Sequence, residues 1–138
     1  MTLHVQERLT DSQVADLVRL YQSEWWTRGR QESEVRLMLQ HCDLIVAISE
    51  EATGRLVGFA RVLTDFVYKA MIFDVIVDST YRSQGLGRML MDRMVNHPSL
   101  HSVKHLELYC LPEMVAFYER WSFTTGLGKL RFMRLAKS

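Results

Sequence analysis

Two glycines one residue apart, Gly85 and Gly87, are bracketed by Arg82 and Arg88 in the string Arg82-Ser83-Gln84-Gly85-Leu86-Gly87-Arg88. Glycine lacks the Cβ that would hold a ligand away from the main chain, and the opening turn of a helix presents N–H groups with no internal partner. Peptide dipoles aligned along that helix add positive charge at the same place, so with the two arginines the string suits an anion such as a pyrophosphate. A nucleoside-triphosphate loop needs Lys and then Ser or Thr after its last glycine, whereas Arg88-Met89 follows Gly87. A dinucleotide fingerprint needs a third glycine where Leu90 stands, and its first glycine belongs at the strand end rather than eight residues beyond Val77. The glycines alone do not separate a ligand loop from an ordinary helix start.

Other side chains could do proton chemistry. Asp74 interrupts the apolar run Phe73–Val77, and a charge there is expensive unless it is paired or used. On the strand expected after Val103, alternation puts His105, Glu107 and Tyr109 on one face and Leu106, Leu108 and Cys110 on the other. Glu107 and Asp74 are equal candidates for a general base, and a solvent-facing strand carboxylate is the plain reading of Glu107. Cys110 lacks a base on its own face and is not expected to be a nucleophile. His97, His101 and His105 are spaced by four, but Pro98 breaks any helix that would align them, so no metal is expected.

These residues need elements to position them. A short strand covers Leu3 to Leu9, and Thr10 with Gln13 reads as a capping box. The helix it opens carries Val14, Leu17, Val18, Tyr21 and Trp25 on one stripe, which places Trp25 in the core and leaves Trp26 exposed. A second helix follows the Thr27-Arg28-Gly29 break, with Val35, Met38, Leu39 and Cys42 inward. Strands at Leu44–Ile48, Leu56–Leu63 and Ala70–Val77 form an antiparallel meander, in which Gly58 marks either a bulge or a packing contact. Leu86, Met89, Leu90 and Met94 line a third helix that Pro98 stops; Pro112 opens a fourth with Met114, Phe117, Tyr118 and Trp121 on one side, and Phe123–Leu135 supplies one or two closing strands.

With 138 residues, 48% hydrophobic and 24% charged, the chain reads as one globular domain, 1–138. A net charge of +1 without a basic stripe argues against nucleic acid, and no stretch approaches the 18 or so apolar residues of a membrane span. Cys42 and Cys110 are too few for a disulfide framework and fit thiols in a reducing compartment, so a cytoplasmic location is expected.

The longer string Val77-Asp78-Ser79-Thr80-Tyr81-Arg82-Ser83-Gln84-Gly85-Leu86-Gly87 resembles the acetyl-CoA motif of the Gcn5-related N-acetyltransferase (GNAT) family: Arg or Gln, two residues, Gly, one residue, Gly or Ala. Ala116-Phe117-Tyr118-Glu119-Arg120-Trp121-Ser122-Phe123 resembles that family's late helix, with Ser122 where glycine is usual and Leu111 where many members have asparagine. The resemblance implies an α/β fold: a mixed, largely antiparallel sheet of six to seven strands with about four helices, splayed between strands four and five. It implies that amides from Arg82 through Arg88 grip the acetyl-CoA pyrophosphate, and that the backbone of Val75, Ile76 and Val77 pairs with the pantetheine arm. An N–H of Val75 or Val77 would meet the thioester carbonyl, Tyr118 would protonate the departing thiolate, and the amine would attack directly. From its residues alone, Tyr118 reads first as a core residue on the stripe of Met114 and Trp121.

In such a protein the acceptor lies against the first two helices and the turn between strands three and four, here Glu24, Trp25, Trp26, Thr27 and Arg28, then Asp65, Phe66 and Tyr68. Aromatic walls with a carboxylate suit a cationic or aromatic amine, with a small molecule ahead of a peptide or protein amine. The competing class is a coenzyme-binding sensor or interaction module without turnover. A homodimer is compatible with either.

Overall fold

The Thr10 hydroxyl accepts the Gln13 amide at 3.2 Å while the Gln13 side chain accepts the Thr10 amide at 3.0 Å, so the expected capping box forms and opens α1, Asp11–Gln22. In the computed structural model, which describes residues 2–137, Met1 and Ser138 lie outside the described residues. Packing divides the chain into two units, Met1–Leu108 and Tyr109–Ser138.

The first unit adds β1 (Leu3–Gln6), α2 (Glu32–Gln40), β2 (Leu44–Glu50), β3 (Leu56–Thr64), β4 (Lys69–Val77), α3 (Leu86–Val95) and β5 (His105–Glu107). The strands lie in chain order, β1 to β4 antiparallel and β5 parallel to β4. Val14, Leu17, Leu20 and Tyr21 of α1 and Val35 of α2 pack with Ala47, Leu56, Phe59 and Ile76 of the sheet in one buried cluster. Adjacent strand residues point to opposite faces, so Gly58, beside Phe59, turns the other way, toward α3. A Cβ there would lie 3.6 Å from Leu90, and the β2–β3 register shifts beside it, so both readings of Gly58 hold.

The helix α1 ends at Gln22, with the Ser23 amide donating to Leu20 and Tyr21. Trp25 therefore leaves the helical stripe and is 68% exposed, which corrects its expected place in the core; Trp26 is 42% exposed.

The register of β4 on β3 jumps from Phe59↔Ile76 to Arg61↔Phe73, so Asp74 and Val75 together face Ala60 across a bulge. Asp74 adopts φ 56°, a left-handed conformation costing an L residue about 1–2 kcal/mol. On its other side β4 pairs with β5 only through Lys69↔His105, Ala70↔Leu106 and Met71↔Glu107. Beyond that rung the ladder stops.

In the second unit a 3-10 turn, Pro112–Met114, leads into α4, Val115–Glu119. Phe117 packs edge-on against Tyr118 and Trp121, with ring centroids 5.0 and 5.1 Å apart. Ser122 makes its turn at φ 70°, the conformation for which glycine is usual. No strand forms among the described residues after Glu107, which corrects the expected closing strands in Phe123–Leu135 and the count of six to seven. A segment becomes a strand only where a neighbour satisfies its N–H and C=O groups, and this one joins no ladder.

Candidate active site

The loop between β4 and α3 is held firmly at its start. The Asp78 amide donates to the Val57 carbonyl at 2.8 Å, and the Asp78 carboxylate accepts the Thr80 amide and hydroxyl at 3.0 and 2.9 Å. Burial alone would raise this carboxyl; the Thr80 bonds, with Arg55 and Arg19, hold it below the usual range. A 3-10 turn over Ser79–Tyr81 follows, with buried Tyr81 donating to Glu50. Arg82, Ser83, Gln84 and Gly85 then come to the surface.

Gly85 caps α3 at φ 83°, and the first intrahelical bond runs from the Met89 amide to the Gly85 carbonyl at 3.0 Å. The amides of Leu86, Gly87 and Arg88 precede that bond and have no partner within the helix. Exposed backbone, a Cβ-free cap and unspent first-turn amides fit a diphosphate, while Leu86 itself is buried and serves as an anchor. Upstream, Val75–Val77 belong to the part of β4 without a β5 partner. A strand segment unpaired with β5 thus precedes, across the loop 78–84, the amide-rich helix start.

Asp74 is deeply engaged. Its Oδ2 accepts from the Tyr21 hydroxyl at 2.9 Å, Arg30 Nη1 at 2.8 Å and Arg61 Nε at 2.7 Å. Burial would raise this carboxyl, but the hydrogen bonds and charges of Arg30 and Arg61 win and hold it below the usual carboxylate range. A carboxylate so neutralised is a weak proton acceptor. Glu107 lies on the last β4–β5 rung, half-buried, with Lys69 Nζ 3.1 Å away.

Tyr118 is buried, and burial with Cys110 nearby pushes its phenol up to about 12. Burial, with Glu113 close by, also raises the Cys110 thiol, the reverse of an activated nucleophile. His97 spends Nδ1 on the Ser99 amide and lies 3.0 Å from Glu7 through Nε2.

The expected acceptor residues differ among themselves. Glu24 is half-buried and 2.7 Å from Arg82 Nη2, while Arg28 is exposed and reaches the Gln22 carbonyl. Phe66 and Tyr68 stand exposed on the β3–β4 turn. Asp65 directs Oδ1 at the amides of Val67, Tyr68 and Lys69 and is held below its usual range by them, so it builds this turn.

The model of the Acetyltransferase (GNAT) family matches residues 10–123. The chain belongs to the GNAT acetyltransferase family. GCN5-related N-acetyltransferase 1, chloroplastic, of Arabidopsis thaliana is 32% identical over 108 residues, 76% of this chain and 55% of that protein. Serotonin N-acetyltransferase 2, chloroplastic, of Oryza sativa subsp. japonica is 34% identical over 112 residues, 79% of this chain and 56% of its own length. The chain thus spans a little over half the length of these relatives. A Xanthomonas campestris pv. campestris protein of the GNAT family superposes with a TM-score of 0.78 at 27% identity, covering 96% of this chain and 94% of that one. A Trypanosoma brucei acetyltransferase shares the fold at 22% identity, with a TM-score of 0.78 over 99% of this chain and 100% of that one. The mixed α/β arrangement here, a five-stranded, mostly antiparallel sheet with four helices, is GNAT-like.

Sequence reasoning missed Tyr21, Arg30 and Arg61 as the shell of Asp74. A signal existed: Arg61 is a second charged residue inside an apolar strand, and two such charges on neighbouring strands call for each other.

Proposed function

We propose that this GNAT chain transfers the acetyl group of acetyl-CoA to the amine of a small molecule. The observation that carries the reading is the β4–β5 ladder ending at Met71↔Glu107 just upstream of the Gly85-capped α3. Acetyl-CoA would supply the acetyl group as an activated thioester. The amides of Arg82, Ser83, Gln84, Gly85, Leu86, Gly87 and Arg88 would hold the pyrophosphate, and the backbone of Val75, Ile76 and Val77 would take the pantetheine as an added strand. An N–H of Val75 or Val77 would stabilise negative charge on the carbonyl oxygen.

Tyr118 would hold the proton destined for the thiolate; a phenol raised to about 12 stays protonated throughout the physiological range. Glu107 is the better base, directly or through water, because Asp74 is committed to Arg30, Arg61 and Tyr21. Glu24, Trp26 and Arg28 with Phe66 and Tyr68 would border the acceptor. The relative named for serotonin supports a small-molecule amine, and the family model, which runs from residue 10 to 123, supports one functional domain across both units. Free Cys42 and Cys110 support a reducing compartment such as the cytoplasm, although the two relatives are chloroplastic. No helix among the described residues is long and apolar enough to cross a membrane.

Thiol release from acetyl-CoA across a panel of amines and peptides tests this, paired with calorimetry of coenzyme A binding. Binding with acetylation of small amines is the expected result. Binding without any transfer would favour a sensor, and absence of binding would remove the proposal.

A further inference from the structure

The Asp74 cluster opens into a cavity of ≈ 280 Å³ lined by Arg30, Glu34, Val35, Met38 and Arg61. Two guanidiniums share one oxygen of one buried carboxylate, so the cluster carries an excess positive charge beside an apolar wall of Val35 and Met38. Arg30 is held over the Tyr21 ring at 4.6 Å and Arg61 over the Phe73 ring at 4.8 Å, so both forks are oriented before any ligand arrives. Preorganised guanidiniums match carboxylates in shape as well as charge. Glu34, exposed at the same cavity, opposes that charge, with Oε1 accepting the Gln31 amide at 2.8 Å. Asp74, which accepts from both arginines of the cavity, shares the β4 bulge with Val75, the first residue of the strand segment proposed to take the acyl donor.

We propose that this cavity binds the carboxylate of the acceptor, so that the substrate is an amine bearing a carboxylate and an apolar side chain, such as an amino acid. The assignment rests on the acetyltransferase reading. The volume is at the small end for ligand pockets and fits one end of a substrate rather than a whole large ligand. Serotonin, the amine in one relative's name, has no carboxylate to offer the two guanidiniums.

The test uses three matched pairs, leucine with isoamylamine, phenylalanine with phenethylamine and tryptophan with tryptamine. Arginine Nε–H NMR signals of the full chain are followed during titration, and thiol release is measured in parallel. The amino acids should shift the Arg30 and Arg61 signals and the matched amines should not. Arg30→Gln should weaken amino-acid binding about tenfold or more. Glu34→Gln keeps a helix-capping side chain but removes the opposing charge, and should tighten binding by roughly two- to fivefold. The subsite is overturned if members of a pair shift the signals alike, if neither does, or if Glu34→Gln fails to tighten binding. Selective shifts with no thiol release from any amine would sink the acetyltransferase reading and leave the carboxylate site standing; acetylation without selective shifts would do the opposite.

Discussion

The Arg82 guanidinium donates to Glu24 Oε1 across 2.7 Å, tying the loop ahead of α3 to the segment that follows α1. One residue belongs to the expected pyrophosphate grip and the other to the expected acceptor wall. Arrival of a pyrophosphate would compete for Arg82 and release Glu24. Glu24→Gln should therefore raise coenzyme A affinity roughly two- to fivefold at low salt, an advantage that fades as ionic strength rises. Calorimetry at two salt concentrations checks it; weaker binding would instead mean that Glu24 positions Arg82.

Gly85 is the cap of α3 at φ 83°. Gly85→Ala should cost about 1–2 kcal/mol of stability and weaken coenzyme A about tenfold, because the new methyl strains the turn whose amides are proposed to hold the pyrophosphate. A urea titration and a binding isotherm on the same preparation separate the two effects.

Asp74 is a pH-dependent stabiliser. Its folded-state pKa lies below the unfolded value of about 3.9, so its contribution is complete above that value and disappears as pH falls through the folded one. Asp74→Asn leaves Arg30 and Arg61 without their anion and should lose about 3 kcal/mol at pH 7. The gap from wild type should narrow below about pH 4. Urea unfolding at pH 7 and pH 3 measures both; an equal gap at the two values would contradict the ion-pair account.

Tyr118→Phe should lower kcat about 10²- to 10³-fold with KM for acetyl-CoA little changed, as loss of a proton donor would. Because its phenol is raised to about 12, wild-type kcat should show no fall from tyrosinate formation up to pH 10. A normal KM with an undiminished kcat in the variant would assign Tyr118 to packing.

Much of this was readable from local pattern. Thr10 with Gln13 announced a helix start because both bonds of a capping box are made within four residues, and Gly85 with Gly87 marked the opening turn of α3, where Gly85 adopts φ 83°. What failed depended on distant partners. Trp25 kept the helical phase in sequence, but the helix stops at Gln22, and the closing strands expected in Phe123–Leu135 join no ladder. The partners of Asp74 come from α1, the α1–α2 connection and β3, up to 53 positions away, so its environment was legible only as a demand for compensation. The Gly85 helix start was legible from residue types alone, whereas the surroundings of Glu107, Asp74 and Glu24 depend on partners distant in sequence.

A parallel pairing that ends after three rungs has a cost outside turnover. The Val75–Val77 stretch, which lacks β5 on one side, is the sort of seam onto which a stray peptide or a neighbouring protein can zip. Ligand-free preparations should therefore be the ones that cloud on concentration, and a nonreactive coenzyme analogue should keep them clear by occupying that seam.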